Sequence, residues 1–132
     1  MEKLSVKTSR REEMVNLTAA VQRLVGDQGW GDGLLHLWCP HTTGALTVNE
    51  AADPDVVRDM VASLATLVPR HGDYRHVEGN SDAHIKSSLM GPGLTLIVEG
   101  GRVQLGTWQG VFFCEWDGPR SRQVWAMFLS GK

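Results

Sequence analysis

Three histidines are the residues of this sequence that most directly suggest chemistry. His41 lies in the segment PHTTGALTVNE, and His76 and His84 lie in DYRHVEGNSDAHIKSSLMG. Imidazole is the commonest protein ligand of transition metals, and three such ligands leave one coordination position open on zinc. Because the spacing matches no standard zinc motif, three unrelated surface histidines are an alternative of equal weight. The sequence therefore allows two interpretations. The three histidines either form one metal site or are three separate surface side chains.

The second histidine segment also predicts a short helix. Residues 80–82 (NSD) are all of types that cap helices. On such a helix His84 and Ser88 share a face at i, i+4 spacing, while Lys86 points elsewhere. Lys86 and the serines would then bind anionic oxygen atoms near the helix N-terminus. The carboxylates of Glu50 and Asp82 are the alternative to the histidines as ligands of a divalent ion.

The segment EWDGPRSR, residues 115–122, alternates acidic and basic groups around a turn signal. If Gly118-Pro119 is the turn of a hairpin, Asp117 lies opposite Arg120 and Glu115 lies opposite Arg122, all on one face. These pairs have two interpretations. They are either cross-strand salt bridges that stabilise the hairpin or a guanidinium clamp for phosphate, held in place by carboxylates.

Two further segments carry polar or aromatic groups at strand ends. Asn49 and Glu50 end a short strand, where they either line a cleft or form local hydrogen bonds in a turn. In LGTWQG, residues 105–110, two glycines flank Trp108 and Gln109 and indicate a bulge or the close approach of a ligand. Trp108 is expected either to stack on a flat ring or to pack in the core or a subunit interface.

The elements that must position these groups are predicted from periodicity and capping signals. One helix starts at Asn16 or Thr18 and stops at Gly29, and a second has Asp53 as its N-cap and ends before Pro69. Strands are predicted at residues 3–8, 34–39 and 45–48, and after Leu94 the chain is all β, with hairpins at 100–101 and 118–119. The prediction is an α+β fold, an antiparallel sandwich-like sheet with two main helices and a short third one.

Composition limits the class of protein. The 132 residues, 42% of them hydrophobic, are expected to form one domain, residues 1–132. Thirteen basic and fifteen acidic residues leave a net charge of -2, which argues against a nucleic-acid partner. The charged start of the chain has no signal-peptide pattern and no run suits a membrane span, so a cytoplasmic protein without a membrane partner is expected. Cys39 and Cys114 are predicted to be buried free thiols.

Three blocks taken together resemble the YjbQ-like family, whose members are also described as secondary thiamine-phosphate synthase enzymes. The blocks are HTTGALTVNEAADPDV, EGNSDAHIKSSLMG and LGTWQGVFFCEWDGPRSR, in this order along the chain. The resemblance implies an α+β, sandwich-like homotrimer with polar pockets near subunit boundaries and thiamine-phosphate synthase activity. By motif match, the implied site residues are His41, Asn49, Glu50, His76, His84, Lys86, Ser88, Gln109, Glu115, Asp117, Arg120 and Arg122.

The reaction so implied joins a pyrimidine diphosphate to a thiazole phosphate and releases diphosphate. Lys86, Arg120 and Arg122 would contact phosphate, Trp108 or Tyr74 would face a ring, and Lys86 would act in catalysis together with Glu50 and Asp82. The cofactor expected is a divalent metal ion, zinc rather than magnesium, because imidazoles suit zinc and no aspartate-rich motif is present. The alternatives are a non-catalytic trimer that binds a metal or metabolite, and a metal-dependent hydrolase of an unknown anionic substrate.

Overall fold

The computed structural model describes residues 1–131, which form three helices and eight strands. In chain order these are β1 (Glu2–Lys7), β2 (Glu13–Asn16), α1 (Thr18–Gln28), β3 (Gly33–Trp38), β4 (Gly44–Glu50), α2 (Pro54–Leu67), α3 (Ser81–Met90), β5 (Gly93–Glu99), β6 (Arg102–Val103), β7 (Gln109–Glu115) and β8 (Ser121–Ser130). The predicted α+β class is confirmed, and the third helix is the shortest, at ten residues.

The strands form two antiparallel sheets. A five-stranded sheet has the order β1-β8-β3-β5-β6, and a three-stranded sheet has the order β2-β7-β4. The predicted hairpin at Gly100 and Gly101 is confirmed, because Val98 pairs with Val103 and both glycines have positive φ angles. Two glycines suit such a turn because they lack the Cβ that disfavours positive φ.

The hairpin predicted around Gly118-Pro119 is wrong. β7 and β8 belong to different sheets, and this turn, which contains a cis peptide bond, carries the chain from one sheet to the other. Each of the two strands is central in its own sheet, β7 between β2 and β4 and β8 between β1 and β3. With both edges of each strand already paired, β7 and β8 cannot bond to each other.

The main core lies between the two sheets. Alternating residues of β3, such as Leu35 and Leu37, are fully buried against Phe113 of β7. The α1 helix adds Val21 and Val25 to this core. It begins where the Asn16 side chain accepts a hydrogen bond from Thr18 N, at 3.0 Å, and it ends at Gly29 with a left-handed φ of 66°.

A second apolar cluster lies on the outer face of the three-stranded sheet. Phe112, Cys114 and Trp116 point to this side, and α2 and α3 pack over them. The N-cap prediction for α2 is confirmed, because the Asp53 side chain accepts a hydrogen bond from Asp55 N and Pro54 occupies the first turn. The molecule therefore has a helical layer, a three-stranded sheet and a five-stranded sheet, in that order.

Both cysteines are buried free thiols, as predicted. Burial raises the pKa of the Cys114 thiol to about 12, which keeps it protonated and unreactive. Between residues 1 and 131, none of the helices has the length and hydropathy that a membrane crossing needs.

Candidate functional site

A cavity of about 450 Å³ lies at the N-terminal end of α3. The segment before the helix forms one side of it and the first turns of the helix form the other. Its lining residues are Asp73, Tyr74, Arg75, His76, Ser81, His84 and Ile85. The volume lies within the range of small-molecule sites, and polar groups converge there on an otherwise apolar wall.

Two of the three predicted histidines meet in this cavity. The ring centroids of His76 and His84 are 5.5 Å apart, and their planes are nearly perpendicular, at 86°. Glu78 Oε1 lies 3.5 Å from His76 Nε2, with both side chains open to solvent. Two imidazoles so placed can hold a cation or act as a proton donor and acceptor pair.

His41 is not part of this pair. Its Nε2 accepts a hydrogen bond from Gln123 N, at 2.9 Å, and its ring lies edge-on to Phe113. Burial and the nearby Arg122 charge lower the pKa of His41, which keeps the ring neutral and suited to accept that bond. Among residues 1–131, no three side chains of His, Cys, Asp or Glu are grouped as a metal site. The three-histidine cluster predicted from sequence is therefore not assembled within this part of the chain.

The N-terminus of α3 gives the cavity a positive end. Ala83 N and His84 N both donate to Asn80 O, and the N–H groups before them have no helical partner. Asn80 does not cap the helix with its side chain, and its Nδ2 donates to Asp117 Oδ2 at 2.8 Å. The Arg75 side chain adds a cation to the same cavity. The Asp73 carboxylate of the same lining has the opposite charge, so Arg75 and the helix N-terminus are the groups of the cavity that can bind an anion.

Lys86 and Asp82 lie inside the protein instead of in the cavity. Both side chains are only 1% exposed. Arg11 donates to the two Asp82 oxygens at 3.1 and 3.2 Å, and Lys86 Nζ lies 3.3 Å from Asp82 and also contacts Glu12. The ammonium of Lys86 sits 5.0 Å from the centre of the Trp116 ring. This buried ionic cluster, Arg11, Glu12, Asp82 and Lys86, fastens α3 to the loop before β2.

The structure does not place Lys86 and Asp82 in the cavity. The Lys86 amine is enclosed by two carboxylates and an indole, and Asp82 is held by Arg11 and Lys86. The catalytic role of these two residues stays a prediction. Burial opposes ionisation of Asp82, but the hydrogen bonds and charge of Arg11, with the charge of Lys86, outweigh it and lower the pKa of Asp82. For Arg11, burial is likewise outweighed by Asp82, and the pKa is raised.

The predicted pairs of the 115–122 segment both form, although no hairpin exists there. Arg122 donates to Glu115 and to Thr43 in the interior, where Glu115 is fully buried. Burial opposes ionisation of Glu115, but the Arg122 hydrogen bonds outweigh it and lower the pKa of this carboxyl. Arg120 contacts Asp117 at 3.2 Å and stays half exposed. Only Arg120 of the two arginines is therefore accessible to a ligand.

Asp117 connects Arg120 to the cavity end of α3. The same Asp117 oxygen, Oδ2, accepts from Asn80 Nδ2 and from Arg120. Asn80 Oδ1 is buried and has no hydrogen-bond partner within residues 1–131. Arg120 is thus held next to the residue at which α3 starts.

Four further predicted site residues lie elsewhere. Asn49 and Glu50 end β4 opposite Gly110 and Gln109, at the start of β7, and make local hydrogen bonds to Glu50 N and Asp53 N. This end of β7 is about 20 Å from Glu115 at its other end. Trp108 beside it is 64% exposed and does not pack in the core. Within one chain, Asn49, Glu50, Trp108 and Gln109 therefore lie apart from Glu115 and Arg122.

Ser88 lies one turn beyond His84 on α3, is exposed, and does not line the cavity. Sequence reasoning missed Asp73 and Arg75, which do. Both flank Tyr74 in the three residues before His76, and that adjacency was the available signal. It also missed Arg11 and Glu12, because nothing in an exposed, charged segment indicates which helix will bury its partners.

The fold and the cavity define a small α+β protein, a two-sheet sandwich with one helical layer and a histidine pair at a helix N-terminus. The model of the YjbQ-like family, described as UPF0047 protein YjbQ-like, matches residues 2–131, so the chain belongs to this family. UPF0047 protein MJ1081 of Methanocaldococcus jannaschii is 44% identical over 98% of this chain and 94% of its own length. UPF0047 protein YugU of Bacillus subtilis is 46% identical over 96% of each chain.

Solved structures give the same result. An uncharacterized conserved protein of this family from Clostridium acetobutylicum superposes with a TM-score of 0.95 at 47% identity, covering 98% of this chain and 100% of that one. The conserved hypothetical protein TT1486 from Thermus thermophilus superposes with a TM-score of 0.92 at 48% identity, with the same coverage. The resemblance found in the sequence is therefore confirmed at the level of family and fold.

Proposed function

We propose that the cavity at the N-terminus of α3 binds a small phosphorylated molecule, with His76 and His84 as its reactive or metal-binding groups. The observation that carries this proposal is the meeting of the two imidazole rings, 5.5 Å apart, in the cavity that also holds Arg75. The helix N-terminus and Arg75 provide the positive potential that a phosphate group requires. The half-buried ring of Tyr74, fixed by a 2.6 Å hydrogen bond to Pro69 O, offers a flat wall.

The histidine pair suits a divalent transition metal, zinc before magnesium, because imidazole nitrogen is a ligand that magnesium disfavours. The Glu78 carboxylate lies 3.5 Å from Nε2 of His76, with both side chains exposed. Two protein ligands leave positions for water and for phosphate oxygens. Bound there, the metal would neutralise charge on a phosphate or diphosphate group.

Transfer onto a thiazole phosphate, with release of diphosphate from a pyrimidine diphosphate, is the reaction that the family resemblance favours. In this proposal Arg75 and the α3 N-terminus hold the departing diphosphate, and Tyr74 lies against a heterocycle. Arg120, anchored by Asp117 beside Asn80, provides a further cation at this end of the helix. The homotrimer implied by the resemblance is part of the same proposal.

A second candidate is binding without chemistry. It is favoured by the burial of Lys86 and Asp82, two of the three groups expected to act in catalysis, and by the position of Glu50 at the far end of β4. A trimer that stores or senses a phosphorylated metabolite needs only the cavity, its cations and the histidine pair. It predicts heat stabilisation by the ligand with no product formed.

The first experiment measures metal content and anion binding. Elemental analysis of untreated protein is expected to find zinc, and the variants His76→Ala and His84→Ala are expected to lose it. His71→Ala, an exposed histidine of the same segment that does not line the cavity, is the matched control and should retain it. Titration calorimetry with inorganic diphosphate should show binding to wild type and to the control, and weaker binding to both cavity variants.

The second experiment separates the two candidates. Wild-type protein is incubated with the pyrimidine diphosphate and the thiazole phosphate, and thiamine phosphate and released diphosphate are quantified. Product that is lost in His84→Ala and retained in His71→Ala supports the transferase. Diphosphate binding without any product supports the binding protein. Unchanged metal content and unchanged diphosphate affinity in both cavity variants would refute the site itself.

A further inference from the structure

The segment between α2 and α3, called here the strap, lies on the surface of the molecule. It comprises residues 69–79, PRHGDYRHVEG, and apart from Tyr74 all of them are exposed. Proline, glycine and charged residues dominate the strap, so it has no apolar face that could pack on the core. Val77, an apolar residue of the strap, is 95% exposed. Packing on the rest of the molecule therefore contributes little to the position of the strap.

Hydrogen bonds connect the strap to itself and not to the rest of the chain. Tyr74 Oη donates to Pro69 O at 2.6 Å, and Tyr74 N donates to Gly72 O at 2.9 Å. A Cβ built on Gly72 would lie 3.1 Å from the Tyr74 ring, so the ring packs directly on this glycine. Within residues 1–131, none of the hydrogen bonds or ion pairs of the strap reaches a residue outside it. The strap is therefore a small folded unit that can move as one body.

The residues on either side of the strap are anchored, and a hinge lies next to one of them. Val68 is 7% exposed and donates its N–H to Leu64 O at the end of α2, and Asn80 is 9% exposed at the start of α3. Gly79, the last residue of the strap, has a φ of 76°, and an added Cβ there would meet no atom within 4 Å. A glycine in open space can change its backbone angles without a steric clash. The strap can therefore swing about Gly79 while both helices stay in place.

The strap forms one wall of the cavity at the N-terminus of α3. Asp73, Tyr74, Arg75 and His76 belong to the strap, and Ser81, His84 and Ile85 belong to α3. The histidine pair therefore has one ring on each side of the cavity, with 5.5 Å between the ring centroids. An ion that contacts both rings can do so only while the strap lies against α3. Its binding free energy therefore stabilises the closed position of the strap.

We propose that the strap is a lid that opens to admit a ligand and closes when one ion contacts both His76 and His84. The lid depends on the proposed function, because the ion that closes it is the one bound by the histidine pair. The two arginines of the strap balance its two carboxylates, so the strap has no net charge that would draw it to α3. The shared ion supplies that attraction, and closure then excludes water from the bound group.

Trypsin digestion followed by mass spectrometry tests the lid. Proteolysis requires local opening of the backbone, so in the free protein the bond after Arg75 should be cleaved at least ~100-fold faster than the bond after Arg58 in α2, whose side chain is 77% exposed. Zinc at about 100 times its Kd should slow cleavage after Arg75 about 100-fold, because only the zinc-free fraction opens. His84→Ala should lose this protection. Leu89→Ala, a change of a 60% exposed α3 residue outside the cavity, is the matched control and should keep it.

Calorimetry with zinc on the same samples distinguishes closure from binding. Zinc that binds without slowing cleavage after Arg75 overturns the lid and leaves the binding site in place. Equally slow cleavage after Arg75 and Arg58 in the free protein also overturns it, and so does protection that persists in His84→Ala. If zinc does not bind, the metal role in the proposed function fails, and inorganic diphosphate replaces zinc in the same digestion. Protection of Arg75 by diphosphate then supports the lid, and its absence overturns it.

Discussion

The buried ionic cluster makes a quantitative prediction, because Asp82 holds two cations at once. Arg11 donates to both of its oxygens, and Lys86 lies 3.3 Å from one of them. In Asp82→Asn the amide is neutral and offers one acceptor, so the Arg11 charge loses its partner and Lys86 retains only Glu12. Removing one partner of a buried ion pair costs about 3 to 5 kcal/mol.

For Asp82→Asn, the expected loss in the free energy of unfolding lies at the lower end of this range of about 3 to 5 kcal/mol. The Arg11 side chain is 20% exposed and that of Glu12 is 23% exposed, so water partly solvates the charges left behind. We expect a loss of about 3 kcal/mol in the free energy of unfolding, equivalent to about 10 °C in Tm for a domain of this size. Asp55→Asn is the matched control, since its exposed pair with Arg58 contributes below ~1 kcal/mol.

The pH dependence gives a second check with a defined sign. The pKa of Asp82 is lowered in the folded state, because the favourable effect of Arg11 and Lys86 outweighs burial. The stability it contributes is therefore complete above the unfolded-state pKa of about 4 and is lost as pH falls through the lower folded-state pKa. The difference between wild type and Asp82→Asn should be largest near neutral pH and shrink below about pH 4.

Urea unfolding followed by circular dichroism measures both effects, with an unchanged m-value as evidence that the two states compared are the same. Lys86→Met serves as a companion variant. Asp82 keeps its Arg11 partner there, and the methionine can pack on Trp116, so a smaller loss than that of Asp82→Asn is expected. Equal, small losses in Asp82→Asn and Asp55→Asn at neutral pH would refute the cluster as a source of stability.

Two further predictions use pairs that look alike in sequence. Arg122→Met should cost about 3 kcal/mol, because buried Glu115 then keeps its hydrogen bonds from Thr8 and Asp117 N but loses its only cation partner within residues 1–131. Arg120→Met should cost below ~1 kcal/mol and reduce diphosphate affinity; equal losses in unfolding free energy would contradict this. Gly118→Ala should destabilise the fold by about 2 kcal/mol, because the added Cβ would clash with the Arg10 carbonyl oxygen. Gly26→Ala should stabilise the fold by about 0.5 to 1 kcal/mol, because an added Cβ at this position of α1 meets open space and alanine favours the helix. Thermal melts of both variants check the two signs.

Local signals in the sequence were enough to predict most elements of the fold. Asp53 and Pro54 predicted where α2 begins, Gly29 where α1 ends, and Gly100-Gly101 the turn between β5 and β6. Each of these depends on a backbone preference or a hydrogen bond within a few residues, which the order of amino acids encodes directly.

The 115–122 segment shows where local reasoning reaches its limit. Both ion pairs across Gly118-Pro119 were predicted, yet the strands that carry them lie in different sheets. A turn between paired strands and a turn between two packed sheets can bring the same side chains together. Which of the two turns forms depends on the strands that pair with β7 and β8. These are β2 and β4 for β7 and β1 and β3 for β8, and they come from distant parts of the chain.

The candidate site divides in the same way. The short helix at 81–90 followed from the cap-type residues at its start, whereas the sequence left open whether His76 and His84 would meet, and the structure brings their rings together. The position of His41 against Gln123 and the burial of Lys86 did not follow from the sequence. What the sequence by itself determined was most of the elements and the two main caps, which depend on contacts between near neighbours. Only the tertiary structure decided which face of α3 is buried and which charges are enclosed. Both depend on contacts of α3 with Arg11, Glu12 and Trp116, which are far from α3 along the chain, and separation along the chain does not determine separation in space.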